Sequence, residues 1–86
     1  MRTPIVAGNW KMHNTIQESI ALAKAIKDGA AGIKKPEVVL APPFTALYSV
    51  YDVIKGSTIS LASQNIFYED KGAYTGEVSP GMLKDV

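Results

Sequence analysis

Three short apolar runs separated by two amphipathic segments constrain this chain more than any other feature. The runs are Pro4 to Gly8, Glu37 to Ala41 and Thr58 to Ser63. The first two are almost continuously apolar, which suits strands covered on both faces, and the third alternates apolar with small polar residues. Gly8 closes the first run; Pro42 and Pro43, neither able to donate to a ladder, close the second. Between them, Ile16, Ile20, Ala23, Ile26 and Ala30 recur at helical spacing, with Lys24 and Lys27 off the stripe. Thr15 and Glu18 have the spacing of a capping box, and Gly29 and Gly32 punctuate the far end. Leu47, Val50, Tyr51 and Ile54 trace a second helical face, starting after a Thr45 cap and ending at Gly56. After a long loop from Gln64 to Glu77, Ser79-Pro80 pairs an N-cap with the favoured first-turn proline. The residues Gly81 to Val86 supply under two turns and no C-cap, so the predicted order is βαβαβ(α), ending within a helix.

Alternating strands and helices predict the α/β class, with parallel pairing through right-handed crossovers. Two helices can cover only one face of three strands, leaving the other face and both sheet edges open. The three units share no residue motif and are unequally spaced, which disfavours a solenoid. With 86 residues and no cysteine, a core seldom supplies more than about 3 to 5 kcal/mol. Closure into a larger α/β domain is therefore expected. The alternative is a fragment that covers its open sheet face with copies of itself and does no chemistry.

Composition removes several function classes. At 47% hydrophobic and 20% charged, the chain belongs with folded rather than disordered sequences. Nine basic and eight acidic residues are interspersed to a net charge of +1, so no basic stripe suits a nucleic-acid partner. Zero cysteines leave no disulfide framework, thiolate nucleophile or thiolate metal ligand, and fit a reducing cytoplasmic compartment. No run of about 18 apolar residues and no signal-type N-terminus occurs, so neither a membrane span nor export is expected. The stretch Gly8-Asn9-Trp10-Lys11 lacks the further glycines of a dinucleotide fingerprint, no Walker motif is present, and no metal-ligand spacing appears. Nucleotide binding thereby loses its main warrant.

In α/β folds ligands sit at the C-terminal ends of the strands, here Gly8 to Asn14, Pro42 to Thr45 and Gln64 to Glu77. Asn9 and Lys11 flank Trp10, so strand geometry continued through them would point amide and ammonium one way and the indole into packing. An ammonium suits a phosphate or a developing enolate oxygen, and the amide can hold either the ligand or the lysine. Most lysines that follow a strand are simply solvated, and that reading stands beside it. His13, the single histidine, has no nucleophile or metal partner and reads as a loop residue, next to a helix N-terminus that disfavours its protonated form. Gln64 and Asn65 suit ligand contacts or loop scaffolding, with scaffolding favoured. Gly72-Ala73-Tyr74-Thr75-Gly76-Glu77 reads as a projecting loop that docks on a partner or moves.

Taken in order, Ala7-Gly8-Asn9-Trp10-Lys11-Met12, Ala41-Pro42-Pro43-Phe44-Thr45 and Ser63-Gln64-Asn65 with Gly72-Ala73-Tyr74-Thr75-Gly76-Glu77 resemble the triosephosphate isomerase family. The resemblance runs from Arg2 to Val86 and is most specific at Asn-Trp-Lys and Thr-Gly-Glu. It implies that residues 1–86 are the N-terminal third of one (β/α)₈ TIM-barrel domain. It also implies interconversion of glyceraldehyde 3-phosphate and dihydroxyacetone phosphate through an enediolate, without metal or organic cofactor. Lys11 resembles the family lysine that interacts with substrate phosphate and favours the anionic transition state, and Asn9 its polar partner in the substrate site. Gln64 and Asn65 match a pair that supports the site. The Tyr74-Thr75-Gly76-Glu77 loop is similar to one that inserts into the neighbouring subunit of a homodimer, with Thr75 reaching the other site and Glu77 placed for an ionic contact. The family's glutamate base and neutral histidine electrophile are expected in segments beyond Val86. None of Glu18, Glu37, Glu69 or Glu77 matches the base motif, and His13 does not match the histidine. The 86 residues alone are therefore expected to be inactive.

Overall fold

A computed structural model describes residues 2–86. The elements are β1 (Ile5–Asn9), α1 (Ile16–Gly29), β2 (Glu37–Ala41), a 3₁₀ turn (Phe44–Ala46), α2 (Leu47–Ile54), β3 (Ser60–Leu61) and α3 (Pro80–Asp85). The strands form one parallel sheet in the order β1-β2-β3, with Gly8 opposite Leu40 and Leu40 opposite Leu61. Parallel α/β topology follows the sequence pattern, but the strand ends differ from it. β1 begins one residue later than Pro4, whose carbonyl still accepts the Glu37 N–H at 2.9 Å, and extends one residue further, to Asn9. β3 is much shorter than the predicted 58–63. The Ile59 N–H goes to Ser57 Oγ at 3.2 Å, inside a turn that follows Gly56 at φ +80°, so the ladder cannot extend backward.

Helix α1 starts where the capping box predicts. Thr15 N–H donates to Glu18 Oε1 at 2.9 Å and Glu18 N–H donates to Thr15 Oγ1 at 3.3 Å. Its buried face departs from the predicted stripe. Ser19 and Ala23 are fully buried, Ile20, Ile26 and Ala30 are half-buried, and Ile16 is 46% exposed. Small side chains at the contact let the helix backbone approach its neighbours closely, which pushes the bulkier Ile16 and Ile20 to the flank. Among the described residues, the buried Ser19 hydroxyl has no hydrogen-bond partner.

The Thr45 cap is not formed. Thr45 lies inside the 3₁₀ turn, closed by Ala46 N–H donating to Pro43 O at 3.0 Å, and α2 starts from Ala46 with no side-chain cap. The two prolines hand the chain directly into this tighter turn, so the helical path begins before Thr45 could stand ahead of it. Leu47, Val50 and Ile54 are buried as predicted, whereas Tyr51 is 39% exposed. Ala46 is fully buried instead. At the far end, Lys27 Nζ donates to Val53 O at 3.1 Å, tying α1 to the last turn of α2. α3 begins as predicted, with Ser79 Oγ accepting the Met82 N–H at 3.2 Å and Pro80 in the first turn.

The core is a single cluster of Trp10, Ala23, Leu40, Ala46, Val50, Ile54 and Ile59, with Ile26, Ala30, Val38, Val53 and Leu61 packed against it. A Cβ built on Gly8 would meet Leu40 Cδ2 at 3.6 Å and Trp10 Nε1 at 3.5 Å, so Gly8 faces this core. By strand alternation Ile5, Ala7 and Asn9, with Val39 and Ala41 beside them, face the opposite side. Helices α1 and α2 pack on the Gly8–Leu40 side rather than on this one, and Ile5 is 62% exposed. Among the described residues, no helix is long and apolar enough to cross a membrane.

Candidate functional site

The site is built where β1 ends. Trp10 N–H donates to Ala41 O at 3.1 Å, extending the β1–β2 pairing by one bond, and the indole sits in the core at 8% exposure. Lys11 then leaves strand geometry, with φ +54°. The expectation that Asn9 and Lys11 point one way by simple alternation is corrected here, because the extended backbone stops at Trp10. Instead Asn9 Oδ1 accepts the Lys11 N–H at 2.9 Å, a local turn that captures the lysine through its backbone. A left-handed conformation is uncommon for a residue with a Cβ and typically costs about 1–3 kcal/mol. Asn14, at φ +81°, makes the second such step and hands the chain to the Thr15 cap. Met12, 94% exposed, and the exposed His13 form the crest between them.

The third strand's loop reaches this same place. Gln64 Nε2 donates to Lys11 O at 2.9 Å and to Ala41 O at 2.8 Å. One amide therefore joins the C-terminal ends of all three strands. Asn65 Oδ1 accepts the N–H of its neighbour Ile66 at 2.9 Å and so shapes the exit of the loop. Among the described residues the Lys11 ammonium forms no ion pair, and the side chain is exposed. Among them also, no cluster of three or more His, Asp or Glu residues is placed to hold a metal ion.

The Tyr74–Glu77 segment is held by contacts within its own loop. Glu77 N–H donates to Tyr74 O at 3.0 Å to close a turn, and Phe67 N–H donates to Val78 O at 2.8 Å across the loop base. The Phe67 ring packs against Tyr68 and Tyr74 at centroid distances of 4.7 Å and 4.6 Å. Gly72, at φ +148°, lies so close to Tyr74 that a Cβ there would sit 2.6 Å from its Cε2. The loop wraps a cavity of about 170 Å³ lined by Phe67, Tyr74, Glu77 and Met82 among others. No hydrogen bond joins residues 74–77 to Asn9 or Lys11 among the described residues. Sequence reasoning missed two features of the site. The left-handed backbone of Lys11 carries no residue-type signal, since it is not a glycine. The carbonyls of Lys11 and Ala41 are invisible to any side-chain motif.

Fold and site together define a class: a strand–helix segment of a parallel α/β barrel with a polar, cationic cluster at the C-terminal ends of its strands. Residues 4–86 match the family model described as triosephosphate isomerase, and the chain belongs to the triosephosphate isomerase family. It is 54% identical over 85 residues to the triosephosphate isomerase of Pelobacter propionicus, covering 99% of this chain and 34% of the relative. It is 51% identical over 86 residues to that of Moorella thermoacetica, covering 100% of this chain and 34% of the relative. The crystal structure of triosephosphate isomerase from Bartonella henselae superposes with a TM-score of 0.88 at 38% identity, covering 98% of this chain and 34% of that one. The three strands and their helices are thus a partial βα segment of a TIM barrel. The chain spans about a third of the length of the curated relatives it matches.

Proposed function

We propose that this segment supplies the phosphate-facing lysine of a triosephosphate isomerase that interconverts glyceraldehyde 3-phosphate and dihydroxyacetone phosphate through an enediolate. The observation that supports it most is Lys11, exposed at the end of β1 and anchored through its backbone by Asn9 and Gln64. An ammonium carried by that anchored backbone stabilises negative charge on the phosphate and on the developing enediolate, a task that needs no metal or organic cofactor. Lys11 is the catalytic and substrate-binding residue, Asn9 shares the substrate site, and Gln64 and Asn65 support it. Proton transfer falls to a glutamate base and a histidine electrophile outside residues 1–86, so this segment alone is inactive. In this reading residues 1–86 are the N-terminal third of one barrel domain in a cytoplasmic enzyme.

The exposed loop Tyr74, Thr75, Gly76 and Glu77, stiffened by the Phe67–Tyr74 contact, docks on a second copy to form a homodimer. Sedimentation of the full-length protein with Thr75→Arg tests the docking; an unchanged dimer refutes it. The direct test of function is isomerase turnover on glyceraldehyde 3-phosphate by the full-length protein and by residues 1–86. Turnover by the first alone is expected. Turnover by the short chain would place the proton-transfer groups within residues 1–86. The exposed apolar side of β1 favours a second reading, self-association of the segment without chemistry. A defined oligomer of residues 1–86 together with an inactive full-length protein would support it.

A further inference from the structure

We infer that Gln64 is a positioning residue that holds Lys11 in its left-handed conformation, and so sets where the ammonium stands. The inference rests on the isomerase reading of Lys11 but is carried by different atoms. Lys11 is gripped on both sides of its Cα: its N–H by Asn9 Oδ1 at 2.9 Å, its C=O by Gln64 Nε2 at 2.9 Å. The second Nε2 hydrogen goes to Ala41 O at 2.8 Å, an oxygen that also accepts the Trp10 N–H at 3.1 Å. The amide orientation is fixed by chemistry, since its carbonyl end would face two carbonyl oxygens. The Lys11 carbonyl is thereby referenced to the centre of the sheet, because Ala41 ends β2, the middle strand. Without the clamp, φ at Lys11 has no reason to stay at +54°, a region most side chains avoid. Relaxation to ordinary dihedrals would swing the long side chain away while leaving the core beneath Trp10 intact.

The test uses the full-length protein with Gln64→Met, which keeps length and removes both donors, and Gln64→Asn, which keeps the donors but shortens their reach. Three readouts are combined. Amide hydrogen exchange at Lys11 should accelerate at least tenfold, while the Ala62 N–H, which donates to Leu40 O at 2.9 Å between β2 and β3, stays protected. Turnover number should fall about tenfold to a hundredfold, the scale of a misplacement near 1 Å. In a Lys11→Ala background, Gln64→Met should change kcat/KM less than twofold, because the residue it positions is gone. Unchanged exchange at Lys11 overturns the inference, as does acceleration at Lys11 and Ala62 together, which would make Gln64 a general staple. Additive losses in the double variant overturn it too. If the full-length protein shows no isomerase turnover, the functional reading fails, and the exchange pattern at Lys11 still decides whether the clamp exists. Should Gln64→Met not fold, Gln64→Asn gives the same three readouts.

Discussion

Replacing Lys11 with glycine separates what this position does for the fold from what it does for chemistry. The backbone there sits at φ +54°, where a Cβ is penalised by about 1–2 kcal/mol and glycine is not. Glycine also enlarges the conformational freedom of the unfolded chain, which costs about 0.5–1 kcal/mol. The side chain is exposed and forms no ion pair among the described residues, so little contact energy is lost. The Asn9 and Gln64 bonds use only Lys11 backbone atoms and survive the change. The balance is a stability equal to the parent or higher by up to about 1.5 kcal/mol. Activity should move the opposite way. Loss of a preorganised charge aimed at a developing anion typically costs about 10²–10³-fold in turnover. Urea unfolding of the full-length protein, with kcat measured on the same preparation, reads both numbers. A loss of more than about 1 kcal/mol would refute the reasoning, since the lysine side chain itself would then hold the loop. Full turnover without the ammonium would remove Lys11 from the chemistry.

Other positions give independent checks. Ser19→Ala removes a buried hydroxyl that has no partner among the described residues and should raise stability by about 1 kcal/mol, seen as a higher melting temperature; a loss would mean that a water or an unseen acceptor satisfies it. Gly72→Ala places a Cβ 2.6 Å from Tyr74 Cε2 at φ +148°, so the ring must move and self-association of the full-length protein should weaken by sedimentation. Glu18 has its carboxyl pKa held below 4.5, chiefly by the Thr15 backbone N–H it accepts and then by the Thr15 side chain. A depressed carboxylate pKa stabilises above 4.5 and loses that contribution as pH falls through the lowered value. Glu18→Gln should therefore flatten the stability profile below about pH 4.5 and leave the neutral-pH fold unchanged; identical acid profiles would remove the cap from the account.

Periodicity and turn chemistry made the α/β order, the Thr15 cap and the Ser79-Pro80 start legible, because each is decided by residues within a few positions of one another. The details that failed were decided by packing between elements or by specific local bonds and turns that residue periodicity does not register. Nothing near Ile16 says that Ser19 joins Ala23 on the buried face while Ile16 is left exposed, since that depends on how closely the helix approaches its neighbours. Ser57 withdraws the Ile59 N–H from the sheet by a side-chain bond that strand alternation cannot register. Thr45 has the composition of a cap, yet the preceding proline pair starts the turn early. At the site, the residue types Asn9, Lys11 and Gln64 were visible, and the arrangement was not. Gln64 lies 53 positions from Lys11, and the bond between them uses a backbone carbonyl.

The open side of the sheet and the site are one problem. Asn9 ends β1 on the face that carries Ile5, Ala7, Val39 and Ala41, opposite the side on which α1 and α2 pack. An ammonium at 4 Å from a phosphate oxygen gains about 1 kcal/mol in bulk water and about 4 kcal/mol at the effective dielectric near a protein surface. In the proposed role, a Lys11 as exposed as this one would work near the weaker limit, and an anion meeting it would keep most of its hydration. Whatever closes the apolar side beneath Asn9 also removes water from the strand ends, strengthening the same charge without altering its position. The backbone clamp is already complete within these residues, through Asn9 and Gln64. Geometry is thus set locally by three strand ends, while the strength of the interaction depends on covering the sheet's other face.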